Sequence, residues 1–229
     1  MKLIGLLGGT TWLSTADYYR FINEGINQKL GGNEFANCIL YSFNFGDLYR
    51  NNVKGDWEAN YVLTKQAATH LKNSGAQGLV LCANTLHMFA DRLQDEIKIP
   101  VIHIATATAQ AIQAKGLKKV ILLGTKFTME MDFFKDKLKE HDIETLIPEE
   151  QDRAFIHANI FDELGKNIIR QETRQHYLDI INKLIKQGAE GAILGCTEIP
   201  LLLKQSDCPT PFFDTTRIHS QAAVDFMIG

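Results

Sequence analysis

Short, uninterrupted runs of apolar residues recur along the chain and alternate with longer amphipathic stretches. Such runs lack the apolar–polar alternation of a half-exposed strand, so they predict parallel strands that are covered on both faces. The predicted strands cover residues 3–7, 38–43, 79–81, 101–102, 120–123, 192–194 and 212–213.

The amphipathic stretches between these runs have the ends expected of helices. Ser or Thr stands near the start of several of them and Gly follows their ends, as in capped helices. The clearest predicted helices run from a cap at 14/15 to 31–32, from about 58 to 75, from 108 or just before it to 116, and from about 172 to 188. Strands that alternate with helices predict an α/β fold with doubly wound parallel sheets.

The chain also contains an internal repeat. Residues 75–85 align without a gap on 188–198, an offset of 113. Residues 6–9 match 122–125 and residues 100–102 match 211–213, at offsets of 116 and 111. A chance likeness between parallel strand ends is the alternative, but three ordered matches favour duplication.

We therefore predict two similar lobes related by a pseudo-two-fold, each a mostly parallel sheet flanked by helices. The predicted first lobe comprises residues 1–98 and 210–229, and the second comprises residues 99–209.

Composition narrows the function classes. The chain has 229 residues and a net charge of −3, and no cluster of Lys and Arg suggests a nucleic-acid partner. No apolar run is long enough to span a membrane. The four cysteines form no CxxC pair and no signal peptide precedes them, so we expect free thiols, no metal site and a cytoplasmic location.

Small polar residues follow the predicted strands, at residues 8–11, 83–85, 124–125 and 195–198. Ligands of open α/β sheets bind beyond the carboxyl ends of strands, often at helix N-termini. Taken singly, each cluster could merely cap the next helix. Together they predict a site for a small carboxylic acid, in a cleft between the lobes. The candidate substrate-binding residues are Thr10, Asn52, Ala83, Asn84, Thr85, Thr125, Thr128, Thr197 and Glu198.

Cys196 is the first candidate for a catalytic residue. Its neighbours Gly195 and Thr197 are small and would leave the sulfur accessible. A helix N-terminus at this point would lower the pKa of the thiol toward neutrality, so that it could take and return a proton. Glu198 could orient the thiol or hold a substrate ammonium. The structural alternative is a buried cysteine that only packs.

Two motifs show a resemblance to a known family. Asn84-Thr85-Leu86-His87 and Gly195-Cys196-Thr197-Glu198 resemble the paired signatures of the aspartate/glutamate racemases, Cys-Asn-Thr-x-His and Gly-Cys-Thr-Glu. The resemblance covers essentially the whole chain and is closest to the broad-specificity amino-acid racemases.

This resemblance implies racemisation of an amino acid by two proton-transfer groups, one from each lobe, without pyridoxal phosphate or another cofactor. It implies that Asn84 and Thr85 hold the substrate carboxylate, with Thr125 and Thr197 as further ligands. It also implies a homodimer.

One position departs from the family pattern. The repeat aligns Ala83 with Cys196, so alanine stands where the resemblance places the first catalytic thiol. Cys82 is a secondary catalytic candidate, although strand alternation should point it away from the site. Bound water, Thr85 or Thr10 could substitute. Arg50 and Lys166 are candidate ligands for a side-chain carboxylate.

Three functions therefore stay open. The first is an amino-acid racemase or epimerase that uses Cys196. The second is a decarboxylase or isomerase of the same superfamily with a single thiol, since decarboxylation needs only one proton donor. The third is a small-acid-binding protein that has lost its chemistry at Ala83.

Overall fold

The computed structural model describes residues 1–229 and contains eight strands and eleven α-helices. The strands are β1 Ile4–Gly8, β2 Cys38–Ser42, β3 Gly78–Leu81, β4 Val101–Ile102, β5 Lys119–Gly124, β6 Glu144–Leu146, β7 Gly191–Gly195 and β8 Phe212–Asp214. The helices are α1 Trp12–Leu30, α2 Phe45–Lys54, α3 Trp57–Asn73, α4 Ala90–Ile97, α5 Ile104–Ala114, α6 Lys126–Glu130, α7 Asp132–Lys139, α8 Glu150–Asp162, α9 Gln171–Ile185, α10 Ile199–Leu202 and α11 Thr215–Ile228.

The chain forms two compact units. The first comprises Met1–His103 and His219–Gly229, and the second comprises Ile104–Ile218. None of the helices is long and apolar enough to cross a membrane.

The first unit is built on a four-stranded parallel sheet with the order β2-β1-β3-β4. Side chains of β1 and β3 alternate between its two faces. Ile4 and Leu6 pack with α1 and α11, whereas Leu7 and Leu79 pack with α3 and α4. Because both faces are covered by helices, the central strands are apolar at every position.

The second unit repeats this arrangement with the order β6-β5-β7-β8, again all parallel. One face of β5 and β7, with Ile121 and Leu194, packs against α8 and α9. The other face, with Leu122 and Ile193, packs against α5 and α7.

The strand registers confirm the internal repeat. Ile4 pairs with Gly78 in the first unit, and Val120 pairs with Gly191 in the second, so β1 and β5 are offset by 116 residues and β3 and β7 by 113. Val101 and Phe212, which pair with the same positions of β3 and β7, differ by 111. These are the three offsets found in the sequence. The predicted fold class, two parallel α/β sheets flanked by helices, is confirmed.

Several element boundaries differ from the predictions. Strand β6 was missed because it is a three-residue edge strand that includes a charged, exposed residue, Glu144. Helix α1 begins at Trp12 with Thr11 as its N-cap, and not at a cap on 14/15. Helix α11 was also not predicted; the Asp214 carboxylate caps it by accepting from the Thr216 N–H at 3.0 Å.

Two short segments belong to a different unit from the one that the sequence predicted. Val101–Ile102 was assigned to the second lobe, but β4 pairs with β3 of the first unit. Residues 210–218 were assigned to the first lobe, but Phe212–Asp214 pairs with β7 of the second unit. A parallel strand joins the sheet with which it makes hydrogen bonds, and two- or three-residue strands give little sign of that partner in the sequence.

Candidate active site

In each unit the strand order reverses direction once, between β1 and β3 and between β5 and β7. The carboxyl ends of strands at such a switch point are where open α/β sheets bind ligands. The first unit places residues 8–11 and 82–85 there, and the second places 124–125 and 195–198. The four polar clusters found in the sequence thus lie at the switch points of the two units.

The turn after β1 depends on a glycine. Gly9 has a φ of +89°, and a Cβ at this position would lie 2.3 Å from the Phe43 backbone nitrogen. The Gly9 N–H donates to the Thr15 hydroxyl at 2.8 Å, which ties this turn to α1. Only glycine satisfies both the positive φ and the close approach.

Two predicted ligands of the first unit differ in their surroundings. Thr10 follows this turn, and its Oγ1 atom is buried without a hydrogen-bond partner. Asn52 lies in α2, where its side-chain oxygen accepts from the Asn60 amide at 2.7 Å. That bond links α2 to α3, so Asn52 serves the packing of two helices in this structure.

The turn after β3 contains Cys82 and Ala83, the two candidate positions for a proton-transfer group of the first unit. The two positions differ in burial. Cys82 is fully buried in the core with Ile4 and Val80, and this burial raises the pKa of its thiol. Its sulfur lies 3.7 Å from the Val80 carbonyl oxygen. This surrounding argues against the predicted catalytic role of Cys82, because a thiol enclosed in the core cannot reach a ligand. Ala83 is only partly buried.

Asn84 and Thr85 follow directly at the start of a short 3-10 turn, Thr85–Phe89. Asn84 is buried and Thr85 is partly exposed. The sequence predicted both as carboxylate ligands, and both lie at the carboxyl end of β3, as such a role requires.

Three histidine rings pack together beneath this turn. The His87 ring lies 5.0 Å from those of His103 and His219, measured between centroids. His87 and His219 are buried, and this burial is the main cause of their lowered pKa values, about 3 for His87. A second cause for His87 is the nearby His103, and for His219 it is His87.

These histidines should make stability depend on pH. Because the folded-state pKa of His87 lies below its unfolded value of about 6.5, the unfolded chain binds a proton first as the pH falls. The stabilisation is complete above pH 6.5 and is lost on acidification toward pH 3. Between pH 7.5 and 5 we expect His87 alone to lower the free energy of unfolding by about 2 kcal/mol.

Urea unfolding of the protein and of His87→Phe at pH 7.5, 6 and 5 tests this expectation. The variant should lose about 2 kcal/mol less stability over this range. The matched control is His70→Phe, since His70 is exposed in α3. An unchanged pH dependence in His87→Phe would contradict the assignment.

In the second unit the switch point requires two paired glycines. Gly124 pairs with Gly195 at the ends of β5 and β7. A Cβ on Gly195 would lie 2.6 Å from the Leu123 carbonyl oxygen, and one on Gly124 would lie 3.0 Å from the Gly195 carbonyl oxygen. The absence of both side chains lets the two strand ends approach closely.

Thr125 follows β5 and Thr128 lies in the next helix, α6, and both are buried. Their hydroxyls are 3.2 Å apart, and Thr125 caps α6 by accepting from the Thr128 N–H at 3.4 Å. Helix capping, the structural alternative for these residues, is therefore present, and it leaves the substrate-binding role as a prediction.

Cys196 follows β7 and is partly exposed. Its Sγ lies 2.8 Å from the Oε2 atom of Glu198, and the Thr197 hydroxyl donates to the same oxygen at 2.9 Å. Glu198 is only 6% exposed, so it is a shielded acceptor for both groups. A carboxylate oxygen can accept from a thiol only when the sulfur carries its proton. In this arrangement Cys196 is a proton donor.

The expected lowering of the Cys196 pKa is therefore wrong. Burial, and after it the Glu198 carboxylate, raise the pKa of this thiol well above its usual value. Helix α10 begins only at Ile199 and has four residues, too few for a strong helix dipole. The sequence pattern indicated neither this later helix start nor the orientation of the Glu198 side chain toward the sulfur.

Removing the charge of Glu198 should reverse this effect. In Glu198→Gln we expect the pKa of Cys196 to fall, because the amide keeps a hydrogen-bond acceptor but carries no negative charge. The pH dependence of iodoacetamide alkylation at Cys196, followed by mass spectrometry, should move to lower pH. Glu172→Gln, at an exposed position of α9, is the matched control. The same profile in both variants would contradict this role of Glu198.

The sequence did not indicate that one further residue lies near Cys196. Tyr177, in α9, is completely buried in the cluster against which Cys196 packs, and this burial is the main cause that raises the pKa of its phenol. An aromatic residue on the apolar face of a helix predicts a core position, so its place beside the thiol could be found only from the structure.

The two basic candidates for a side-chain carboxylate lie on the surface. Arg50 forms an ion pair with Asp47 of its own helix, and Lys166 lies 3.8 Å from Asp162. The Arg50 and Lys166 side chains are 64% and 62% exposed. Both are thus paired with a neighbouring carboxylate, which agrees with their alternative interpretation as surface charges.

Comparison with known proteins places this arrangement in a family. The sequence model of the Asp/Glu/Hydantoin racemase family matches residues 7–223. The broad specificity amino-acid racemase RacX of Bacillus subtilis (strain 168) is 23% identical over 231 residues, which cover 97% of this chain and 96% of RacX.

Two solved structures are similar over their whole length. A protein from Yersinia pestis, provisionally named as an Asp/Glu racemase, is 43% identical with a TM-score of 0.95, and 100% of each chain is covered. PH1733, an aspartate racemase homologue from Pyrococcus horikoshii OT3, is 34% identical with a TM-score of 0.88 and the same coverage. Because the family model spans nearly all of the sequence, this chain belongs to the Asp/Glu/Hydantoin racemase family.

Proposed function

We propose that the protein is a cofactor-independent amino-acid racemase or epimerase in which the Cys196 thiol transfers a proton at the substrate Cα. The observation that supports this most directly is the 2.8 Å contact between Cys196 Sγ and Glu198 Oε2. It combines a partly exposed thiol with a buried carboxylate, at a strand end where the fold binds ligands.

In the proposed step the proton-transfer group on the opposite face of Cα removes the Cα proton, and the electron pair of the broken Cα–H bond stays on Cα, delocalised into the carboxylate. The Cys196 S–H then donates its proton to Cα and becomes a thiolate. In the reverse direction the thiolate removes the proton from the same face of Cα. Glu198 orients the thiol, and it can take the thiol proton when Cys196 has to act as the base.

The substrate carboxylate needs hydrogen-bond donors. We propose Asn84 and Thr85 for this role, as the resemblance implies, together with Thr125, Thr128 and Thr197. Thr10 is a further candidate because its hydroxyl oxygen is buried and lacks a partner in this structure.

Inversion at Cα needs a second proton-transfer group, and the position equivalent to Cys196 is Ala83. We propose that a weaker group replaces the missing thiol, either a bound water molecule or the hydroxyl of Thr85 or Thr10. Proton exchange on one face of Cα should then be faster than net racemisation.

Solvent deuterium exchange tests the proposal. The protein is incubated in D₂O with single enantiomers of a panel of amino acids, and Cα deuteration is followed by ¹H NMR while chiral chromatography measures inversion. We expect deuteration of at least one amino acid, faster than its inversion. If no amino acid is deuterated by the intact protein, the proposed function is wrong.

A protonated Cys196 also favours a second function, a decarboxylase with a single proton donor. Loss of carbon dioxide from a substituted malonate leaves an electron pair on Cα, and the Cys196 thiol would protonate it. Release of carbon dioxide from phenylmalonate and methylphenylmalonate, with no deuteration of amino acids, would select this function.

A further inference from the structure

His87 belongs to the Asn84-Thr85-Leu86-His87 motif, but the proposed proton transfer does not use it. Its side chain is 2% exposed, and its Nδ1 atom lies 2.9 Å from the Ala83 carbonyl oxygen. Ala83 occupies the position that the repeat aligns with Cys196, so this bond is made to the backbone of the proposed site.

The contact fixes the protonation of the ring. A carbonyl oxygen can only accept, so the proton lies on Nδ1 and the neutral ring leaves Nε2 as an acceptor. Nε2 is buried and has no hydrogen-bond partner. The bond to Ala83 is therefore the hydrogen bond that sets the orientation of the imidazole.

The neighbouring rings hold His87 in place. His219 donates from Nε2 to the Ile102 carbonyl oxygen at 2.6 Å, and its Nδ1 accepts from the Tyr18 hydroxyl at 2.8 Å. The His219 and His103 rings then meet His87 edge to face. Residues from α1, β4 and α11 thus fix the imidazole beneath the turn.

Three consecutive carbonyl groups of this turn have side-chain or backbone donors. The Ser14 hydroxyl donates to the Cys82 oxygen at 2.8 Å, His87 Nδ1 donates to the Ala83 oxygen, and the His87 N–H donates to the Asn84 oxygen at 3.0 Å. The N–H and C=O of a trans peptide point in opposite directions. Fixing the Ala83 carbonyl toward His87 therefore directs the Asn84 N–H away from it.

We infer that His87 is a positioning residue of the proposed site, which holds the Ala83–Asn84 peptide so that Asn84 and Thr85 are arranged for the substrate carboxylate. The inference rests on the proposed function for its effect on turnover. Its effect on the turn can be measured without any activity.

Two variants separate this role from simple packing. His87→Phe keeps an aromatic ring but removes the donor, whereas His87→Asn loses ring volume but retains an N–H at the place of Nδ1. Hydrogen–deuterium exchange by mass spectrometry then compares peptides over residues 82–90, with residues 4–8 of β1 as the internal reference. We expect faster exchange over 82–90 in His87→Phe only, and restoration in His87→Asn.

Kinetics with the amino acid that the intact protein deuterates fastest give the second readout. We expect KM to rise about 5- to 10-fold in His87→Phe with kcat changed little, since one neutral hydrogen bond of the binding turn is lost. His87→Asn should recover most of this loss.

If His87 only packs, His87→Asn will be the more damaging change in both measurements, and the inference is overturned. Equal exchange over 82–90 in all three proteins also overturns it. An intact protein that deuterates no amino acid contradicts the proposed function instead, and the exchange measurement still decides the role of His87.

Discussion

Replacement of Cys196 by alanine is expected to lower the rate of Cα deuteration by about 10²- to 10⁴-fold, the usual contribution of one acid–base group. The variant keeps the backbone and removes the group that contacts Glu198. Serine at this position should restore little activity, because a hydroxyl is a far weaker acid than a thiol. ¹H NMR in D₂O measures the rate with each variant.

The other cysteines provide a control for this result. Cys38 is partly exposed in β2, and Cys38→Ala removes a thiol without touching either switch point. It should deuterate the substrate at the rate of the intact protein. Comparable losses in Cys38→Ala and Cys196→Ala, or full activity in Cys196→Ala, would exclude the proposed role of Cys196.

Introducing a thiol at the equivalent position should have the opposite effect. In Ala83→Cys we expect the rate of inversion to rise by about 10²-fold, because a thiol replaces the weaker group that we propose for the second proton transfer. Ala83 is partly exposed and follows β3 as Cys196 follows β7, so the added sulfur should not be forced into the core. Chiral chromatography gives the rate of inversion.

Two further variants test whether the effect depends on the acidity and on the position of the added group. Ala83→Ser, which adds a weakly acidic hydroxyl, should give a smaller increase than Ala83→Cys. Cys82→Ala should leave the rate of inversion unchanged, since the Cys82 thiol is buried in the core. A rate in Ala83→Cys no higher than that of the intact protein would refute the proposal that Ala83 marks a missing acid.

The fold could be predicted from the sequence because the same pattern of apolar strands and helices occurs twice in the chain. Uninterrupted apolar strands such as β1, β3, β5 and β7 require cover on both faces, and this requirement alone indicates parallel sheets between helices. The repeat then supplied the equivalence of Ala83 and Cys196 from offsets that the strand registers reproduce.

The chemistry of the site was less predictable, because it depends on side-chain direction. The sequence places Glu198 two residues after Cys196, but rotamers decide whether its carboxylate reaches the sulfur or the solvent. The same holds for His87, whose contacts cannot be deduced from its place in the motif. Its bond to Ala83 and its contacts with His103 and His219 join residues that are distant in the chain.

The matching strand registers also bear on the history of the chain. Paired positions of β1 and β3 are separated by 74 residues (Ile4 to Gly78), and those of β5 and β7 by 71 (Val120 to Gly191). This difference in length lies in the connections between the strands. Within the paired strands, a slip of one residue would turn every side chain to the opposite face. Two copies of one ancestral half would diverge in this way, with insertions accepted in the connections. The turns after β3 and β7 have also diverged, since Ala83 stands in one where Cys196 stands in the other.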